Sequence, residues 1–309
     1  MKILLIDGNN IAHMAHGKVM SHEGERTETI FTGMNMVRGY LDQFNPDRVA
    51  VVWDGGRDPR RMALYPEYKK RKEKTELEQQ EAKILYKQMD QLRDALKNLG
   101  LTQFKLPGRE ADDVINSLVN IAKAQAVVPE MVVVTTDKDY FQLFDLDVDI
   151  KIFNPVKKKL WDLINWEKDS GIAYDAYLDY KAIVGDPSDV LPGIKGIGPK
   201  GASIVIEYLH GDKNVWSKTD ITTVTKFVNN DDTWKLMRTL MEFMDLPRRE
   251  ILEHKEKREL KSVDELYNSA LEIMNQYGFQ RLLNKFQHFM EPFERLLLKE
   301  KDRGKVEEG

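Results

Sequence analysis

Met131-Val-Val-Val-Thr-Thr-Asp137 is the stretch on which the fold turns, because its design occurs twice more in the chain. A short apolar run rich in β-branched residues, stopped by a polar turn, reads as a strand buried on both faces. Lys2 to Ile6 repeats it and stops at Asp7-Gly-Asn-Asn, and Arg48 to Trp53 repeats it before Asp54-Gly-Gly. Each run ends in an aspartate. Helical periodicity fills the intervals around Phe31 to Phe44 and Val114 to Gln125, and Thr102 to Leu106 reads as a fourth strand. The order strand, helix, strand, helix implies a parallel sheet, in which ligands bind outside the carboxyl ends of the strands.

Asp7, Asp54 and Asp137 share that edge. So does Arg109-Glu-Ala-Asp-Asp113, which follows the fourth strand and opens a helix. Glu110, Asp112 and Asp113 set three carboxylates in four positions, and one turn on stand Val114, Asn116 and Ser117, none of them basic. Alone, an acidic first turn is as often a solvated cap that complements the helix dipole as a metal site. Six carboxylates on one rim, however, would repel severely unless cations neutralised them. Glu110 and Asp113 share a helix face, whereas Asp112 points about a quarter-turn away, so Asp112 is expected to be the most tolerant of the three.

The 309 residues suffice for about two domains with a buried core. The absence of cysteine excludes a disulfide framework, a thiolate zinc site and a cysteine nucleophile, leaving oxygen or a few histidines as metal ligands. His13 and His16 lie one turn apart without a third ligand. The N-terminal apolar run is too short for a signal peptide, and no stretch approaches membrane-spanning length, so a cytoplasmic protein is expected. Between Arg57 and Lys74 eight basic residues (Arg57, Arg60, Arg61, Lys69, Lys70, Arg71, Lys72, Lys74) face only Asp58, Glu67 and Glu73. A charged stretch to about Lys97 is usually a solvated helical hairpin, but this one is rooted directly after Asp54 and could face a polyanion.

Further on, lysines 151 and 157–159 flank a β-hairpin pattern, and Tyr174 to Val184 is helical. A turn-rich segment, Gly185 to Gly198, then leads into a helix from Pro199 to about Leu209. Glycine hairpins between two helices present backbone N–H groups to phosphate without reading bases. Ser262 with Glu265 forms a capping-box signal for a helix to about Gln276, Phe279 to Leu298 suggests another, and the charged tail after Lys299 is expected to fray.

In this order, the elements resemble the 5′-nuclease family: bacteriophage flap endonucleases and 5′ to 3′ exonucleases, and the 5′-nuclease domain of bacterial DNA polymerase I. The resemblance runs through Leu4-Leu-Ile-Asp7-Gly-Asn, Trp53-Asp54-Gly, Tyr65-Pro-Glu-Tyr-Lys69, Glu110-Ala-Asp112-Asp113, Thr136-Asp137-Lys-Asp139, Gly185-Asp186-Pro-Ser-Asp189 and Pro192-Gly-Ile-Lys-Gly-Ile-Gly198-Pro-Lys200. Each motif is weak alone, and their ordered combination is specific. The chain departs from the family at Lys72, where arginine is usual, at Trp53, where phenylalanine is usual, and at Val190, where asparagine is usual.

What the resemblance implies is a PIN-like α/β core with a mainly parallel sheet over residues 1–170 and a helical arch at about 57–97. A helical region over 171–309 would follow, with a helix-three-turn-helix motif at about 174–210. Asp7, Asp54, Glu110, Asp112 and Asp113 would form a first metal cluster with Asp137 nearby, and Asp139, Asp186 and Asp189 a second. Removing these nine carboxylates from the count takes the net charge from −4 to +5. Two Mg²⁺ or Mn²⁺ ions would occupy the clusters, and a potassium ion the carbonyls around Gly193 to Gly198. Lys69 and Asp137 would be catalytic. Arg60, Arg61, Tyr68, Lys69, Arg71, Lys72, Lys195, Gly196, Gly198 and Lys200 would contact DNA bearing a 5′ flap, nick or end, or an RNA–DNA hybrid. The protein would be a monomer in a phage-infected cell, working beside replication proteins. Three other readings compete. A PIN-domain ribonuclease lacks the glycine hairpin, a haloacid-dehalogenase-type phosphatase needs an aspartate where Asn9 stands, and a non-catalytic DNA-binding scaffold should have lost carboxylates.

Overall fold

The computed structural model describes residues 1–17, 20–70, 73–211 and 215–307. In chain order the elements are β1 (Lys2–Asp7), α1 (Gly8–Ala15), β2 (Ser21–His22), β3 (Glu25–Arg26), α2 (Glu28–Phe44), β4 (Arg48–Trp53), α3 (Pro59–Leu64), α4 (Glu76–Asn98), β5 (Thr102–Lys105), α5 (Ala111–Lys123) and β6 (Glu130–Val134). There follow β7 (Ile150–Asn154), β8 (Lys159–Trp161), α6 (Leu163–Ser170), α7 (Tyr177–Val184), α8 (Pro199–His210), α9 (Lys218–Val228), α10 (Asp231–Met241), α11 (Arg248–Glu253), β9 (Lys255–Glu256), α12 (Val263–Gln276), α13 (Gln280–Leu283) and α14 (Phe286–Glu307).

The sheet runs β8-β7-β6-β1-β4-β5-β9, with five parallel strands at its centre and an antiparallel strand at each edge. Strand alternation divides the core. Leu4, Ile6, Val49, Val51, Val132 and Val134 pack beneath α1, α2 and α4, whereas Leu5, Ala50, Val52, Phe104, Met131 and Val133 pack against α5. Asp7 pairs in register with Val52, which places the ends of β1 and β4 on one edge.

Of the segment expected as an arch at about 57–97, residues 71 and 72 lie outside the described ones. Leu85, Met89, Leu92 and Leu96 of α4 are buried in the main core at helical spacing, so the second half of this helix is scaffold. Thr75 caps α4 with a full capping box, its hydroxyl accepting from Glu78 N–H and the Glu78 carboxylate from Thr75 N–H.

Residues on both sides of the boundary expected at 170 share one core. Among the described residues, α7 to α10 and the hairpin after α7 build two satellite clusters, one on Leu191, Met237 and Leu240 with Tyr68 and the other on Ile183, Ile194 and Phe227. Beyond them β9 joins the sheet beside β5, and Leu266, Phe279, Phe289 and Phe293 enter the first core. The apolar positions of the C-terminal helices thus have the sheet layer as their partner. Ser262 caps α12 as expected. The helix expected from Phe279 divides at Asn284–Lys285, and α14 continues through Lys299, which donates to Asn45 Oδ1, to Arg303, which pairs with Asp47 at 2.5 Å. These contacts hold the segment that was expected to fray. Among the described residues no helix is long and apolar enough to cross a membrane.

Candidate active site at the carboxyl edge of the sheet

Asp7 both ends β1 and caps α1, accepting Asn10 N–H at 3.0 Å, while Thr135 Oγ1 donates to its other oxygen at 3.1 Å. Burial, then the facing charges of Asp54 and Asp137, push its pKa up to about 7. Gly8 is required next to it, since a Cβ there would meet the Trp53 ring at 2.6 Å. Trp53 is more than an apolar replacement for phenylalanine, because its indole N–H donates to the buried Gln103 side chain at 2.6 Å. Asn9 clasps Asp54 from both sides, donating to Oδ2 at 2.9 Å and accepting Asp54 N–H at 3.0 Å. The other Asp54 oxygen accepts Ala111 N–H at 2.8 Å, which joins β4 to the start of α5. Asn10 makes the equivalent tie to Thr136. These two asparagines, legible in the sequence only as a turn, lock neighbouring strand ends together.

Glu110 stands at the N-cap of α5, 4% exposed, with Oε2 accepting from Tyr68 Oη at 2.8 Å, Lys69 Nζ at 2.8 Å and Arg61 Nη1 at 3.2 Å. Asp113 is held by Arg61 at 2.7 and 2.8 Å and by Met244 N–H at 2.8 Å. Asp112 lies instead among the other acids. Burial, with Asp113 and Glu110 beside it and Lys69 opposing them, holds its carboxyl well above the usual range. Beneath the site the buried Tyr140 hydroxyl senses Asp7, Asp112, Asp137 and Asp54 together. Within α5, then, Asp113 is the acid held by a salt bridge, and Asp112 the one whose charge burial and the neighbouring acids oppose.

The remaining acids hang partly on loops. Asp137 N–H donates to Thr135 Oγ1 at 3.1 Å, and its Oδ1 accepts Asp139 N–H at 2.9 Å. Lys181 of α7 bridges Asp139 and Asp186 at 2.5 Å each. Burial, with Asp137 adjoining, raises the pKa of Asp139. Burial, set against Lys69 and reinforced by Asp186, pushes Asp189 up to about 6. Lys69 Nζ lies 3.7 Å from Asp189, and its N–H donates to the Asp189 carbonyl at 2.9 Å, so Lys69 joins the two groups of acids. A cleft of about 1210 Å³ opens above them, lined by Asp54, Lys69, Lys70, Lys74, Glu110 and Asp189.

Two expected DNA contacts are not available at this surface. Arg61 and Tyr68 are 3% and 2% exposed, because the carboxylates of α5 and Glu110 take their polar atoms inward. Arg60 is exposed and pairs with Asp58. Arg71 and Lys72 lie outside the described residues. Lys195, Gly196 and Gly198 are exposed on the hairpin between α7 and α8, and Lys200 in the first turn of α8. That hairpin closes where the Gly185 and Gly193 backbones meet, since a Cβ on either would lie within 2.6 Å of the other strand. Sequence reasoning missed Lys181, and no spacing rule would have paired it with Asp139.

The acids present only oxygen donors and are short of positive charge, which fits hard divalent cations such as Mg²⁺ or Mn²⁺. Among the described residues no three His, Asp or Glu side chains converge closely enough to enclose an ion. Lys69, Arg61 and Lys181 instead hold Glu110, Asp113, Asp139 and Asp186.

Residues 2–170 match the family described as 5′-3′ exonuclease, N-terminal resolvase-like domain. The chain is 33% identical over 227 residues to DNA polymerase I of Caldicellulosiruptor bescii, covering 71% of this chain and 26% of the polymerase. It therefore spans about a quarter of such polymerases. It is 30% identical over 217 residues to a 5′-3′ exonuclease of Bacillus subtilis (strain 168), covering 67% of this chain and 70% of that one. The fold is shared with a bacteriophage T5 flap endonuclease solved with DNA and metal ions, at a TM-score of 0.65 and 18% identity over 89% of this chain and 98% of that one. With residues 2–170, more than half of its length, matched by the family model, the chain belongs to the 5′-3′ exonuclease family.

Proposed function

We propose that the protein is a structure-specific 5′-nuclease that hydrolyses phosphodiester bonds near the 5′ end of flapped or nicked DNA, leaving a 5′-phosphate. The observation that supports this is a cleft lined by Asp54, Glu110 and Asp189 with Lys69 among them, next to Asp7, Asp112, Asp137, Asp139 and Asp186, whose charges act on those acids and on one another. Asp7, Asp54, Glu110, Asp112 and Asp137 would hold one divalent ion, and Asp139, Asp186 and Asp189 a second. Bound there, the ions would supply Lewis-acid chemistry at the scissile phosphate. Lys69, released from Glu110, would set positive charge on that phosphate as negative charge develops. Asn9, Asn10 and Thr135 keep the aspartates at fixed positions. Lys195, Lys200 and the N–H groups opening α8 would grip adjoining duplex through its backbone.

A potassium ion at the carbonyls of residues 193–198 belongs to the same reading. Lys226 Nζ already donates to the Gly196 carbonyl at 3.2 Å, so an ion there would share or displace that contact. The test is a digest of 5′-labelled flap, nicked, blunt and RNA-primed duplexes with Mg²⁺, Mn²⁺ or chelator. Metal-dependent cleavage near the flap base, with 5′-phosphate ends, is expected. Cleavage of single-stranded RNA alone would instead make the protein a PIN-domain ribonuclease.

A further inference from the structure

Arg61 leaves α3 and is nine-tenths or more buried, yet its guanidinium meets two distant segments. At the start of α5 it forms a bidentate pair with Asp113 at 2.7 and 2.8 Å and a longer contact to Glu110 Oε2 at 3.2 Å, and it donates to the Glu242 carbonyl, just beyond α10, at 2.8 Å. Asp113 Oδ1 accepts Met244 N–H as well, so both of its oxygens are engaged and the residue is 0% exposed. A planar fork matched to a carboxylate, desolvated and backed by further hydrogen bonds, is costly to open. Among the described residues Asp112 has no such partner. It accepts the Asp113 N–H of its own helix at 2.7 Å, and its charge acts on Lys69 and Tyr140.

We propose that Arg61 is a positioning residue: it withdraws Asp113 from the cation-binding set, so that α5 offers Glu110 and Asp112, and it ties the foot of the arch to the acids. This rests on the metal-dependent nuclease reading above. It distinguishes two carboxylates that adjoin in sequence, one a ligand and the other the counter-ion of an arginine.

The experiment compares Mn²⁺ affinity of the DNA-free protein by calorimetry, melting midpoint and single-turnover cleavage of a flap duplex. Asp112→Asn should weaken Mn²⁺ binding about tenfold or more, and Asp113→Asn by less than about threefold. Arg61→Met should lower the cleavage rate about 10- to 100-fold while leaving Mn²⁺ affinity unchanged or raising it, because Asp113 is freed. That opposition of signs is not expected of a merely structural defect. The double variant Arg61→Met with Asp113→Leu, an apolar pair in place of the ionic one, should recover the midpoint and part of the rate. If Arg61→Met does not fold, Arg61→Lys, which keeps the charge but loses the fork, should show the same opposition with smaller amplitude. Loss of Mn²⁺ affinity in Asp113→Asn equal to that in Asp112→Asn overturns the proposal, as does a parallel loss of affinity and rate in the Arg61 variant. A wild-type protein that shows this affinity pattern but cleaves no flap sinks the nuclease reading and leaves the positioning role standing.

Discussion

The two groups of acids are built differently. Asp7 and Asp54 follow directly from adjacent parallel strands, and each is fixed by backbone N–H groups and an asparagine or threonine side chain. Asp139, Asp186 and Asp189 sit on a 3₁₀ turn and on the hairpin after α7, brought together by Lys181 and Lys69. The sheet alone positions the first group, whereas the second depends on the docking of α7 and its hairpin. Function at such a site needs both to be in place, and so they should fail in different ways.

Asp137 lies between the groups, and its loss tests whether they act together. Asp137→Asn should lower the single-turnover rate about 10²- to 10³-fold with DNA binding still measurable, on the scale of removing one preorganised charge-stabilising group. Near-normal turnover in Mg²⁺ would remove the two-ion assignment. Lys181→Met separates the groups next. It leaves Asp139 and Asp186 facing each other, and a melting midpoint lower by the equivalent of about 1–3 kcal/mol is expected in chelator, because a part-buried ion pair has lost one partner. Added Mg²⁺ should restore much of it. A midpoint that Mg²⁺ does not move would show that Lys181 is only a surface pair.

On the side of the first group, Asp58 fixes the base of the arch. Burial disfavours its charge, but hydrogen bonds from Arg60, Arg109 and Arg61 N–H outweigh this and bring its pKa down to about 2. A depressed folded-state pKa gives stability that is present above the ordinary value of 3.8 and lost as pH falls through about 2. Asp58→Asn should therefore be less stable than wild type at pH 7, the two converging in acid melts, and a pH-independent gap would mean that lost packing rather than charge is responsible. Val190 offers the smallest effect, on the other side. Its φ of 62° puts a β-branched residue in the left-handed region. Val190→Asn should raise stability by about 1 kcal/mol in denaturant unfolding. A loss would show that the valine side chain contributes packing that the backbone strain does not reveal.

Val190 also shows how sequence and structure divide the account. The family's asparagine at this place reads at first as a missing side-chain hydrogen bond, but the backbone angle shows why asparagine suits it. The strand-plus-aspartate runs, the acidic turn of α5, the β7–β8 hairpin and the α7–α8 hairpin were all legible, because hydrophobic period and turn chemistry are local. Leu85, Met89, Leu92 and Leu96 were legible too, at helical spacing, yet the charge around them led the segment to be read as arch.

The sequence by itself determined the sheet, its acidic edge and the family. It could not say which acid faces which cation. Helix geometry ranked Asp112 below Asp113, and the family resemblance set Arg61 and Tyr68 against DNA, although both are buried. Only the tertiary structure brought α3, α5 and the segment after α10 together around one guanidinium, and only it returned β9 to the sheet. The reason is physical: a local pattern fixes the face on which a side chain stands, while its partner is chosen by long-range packing and by the cost of leaving a buried charge unpaired.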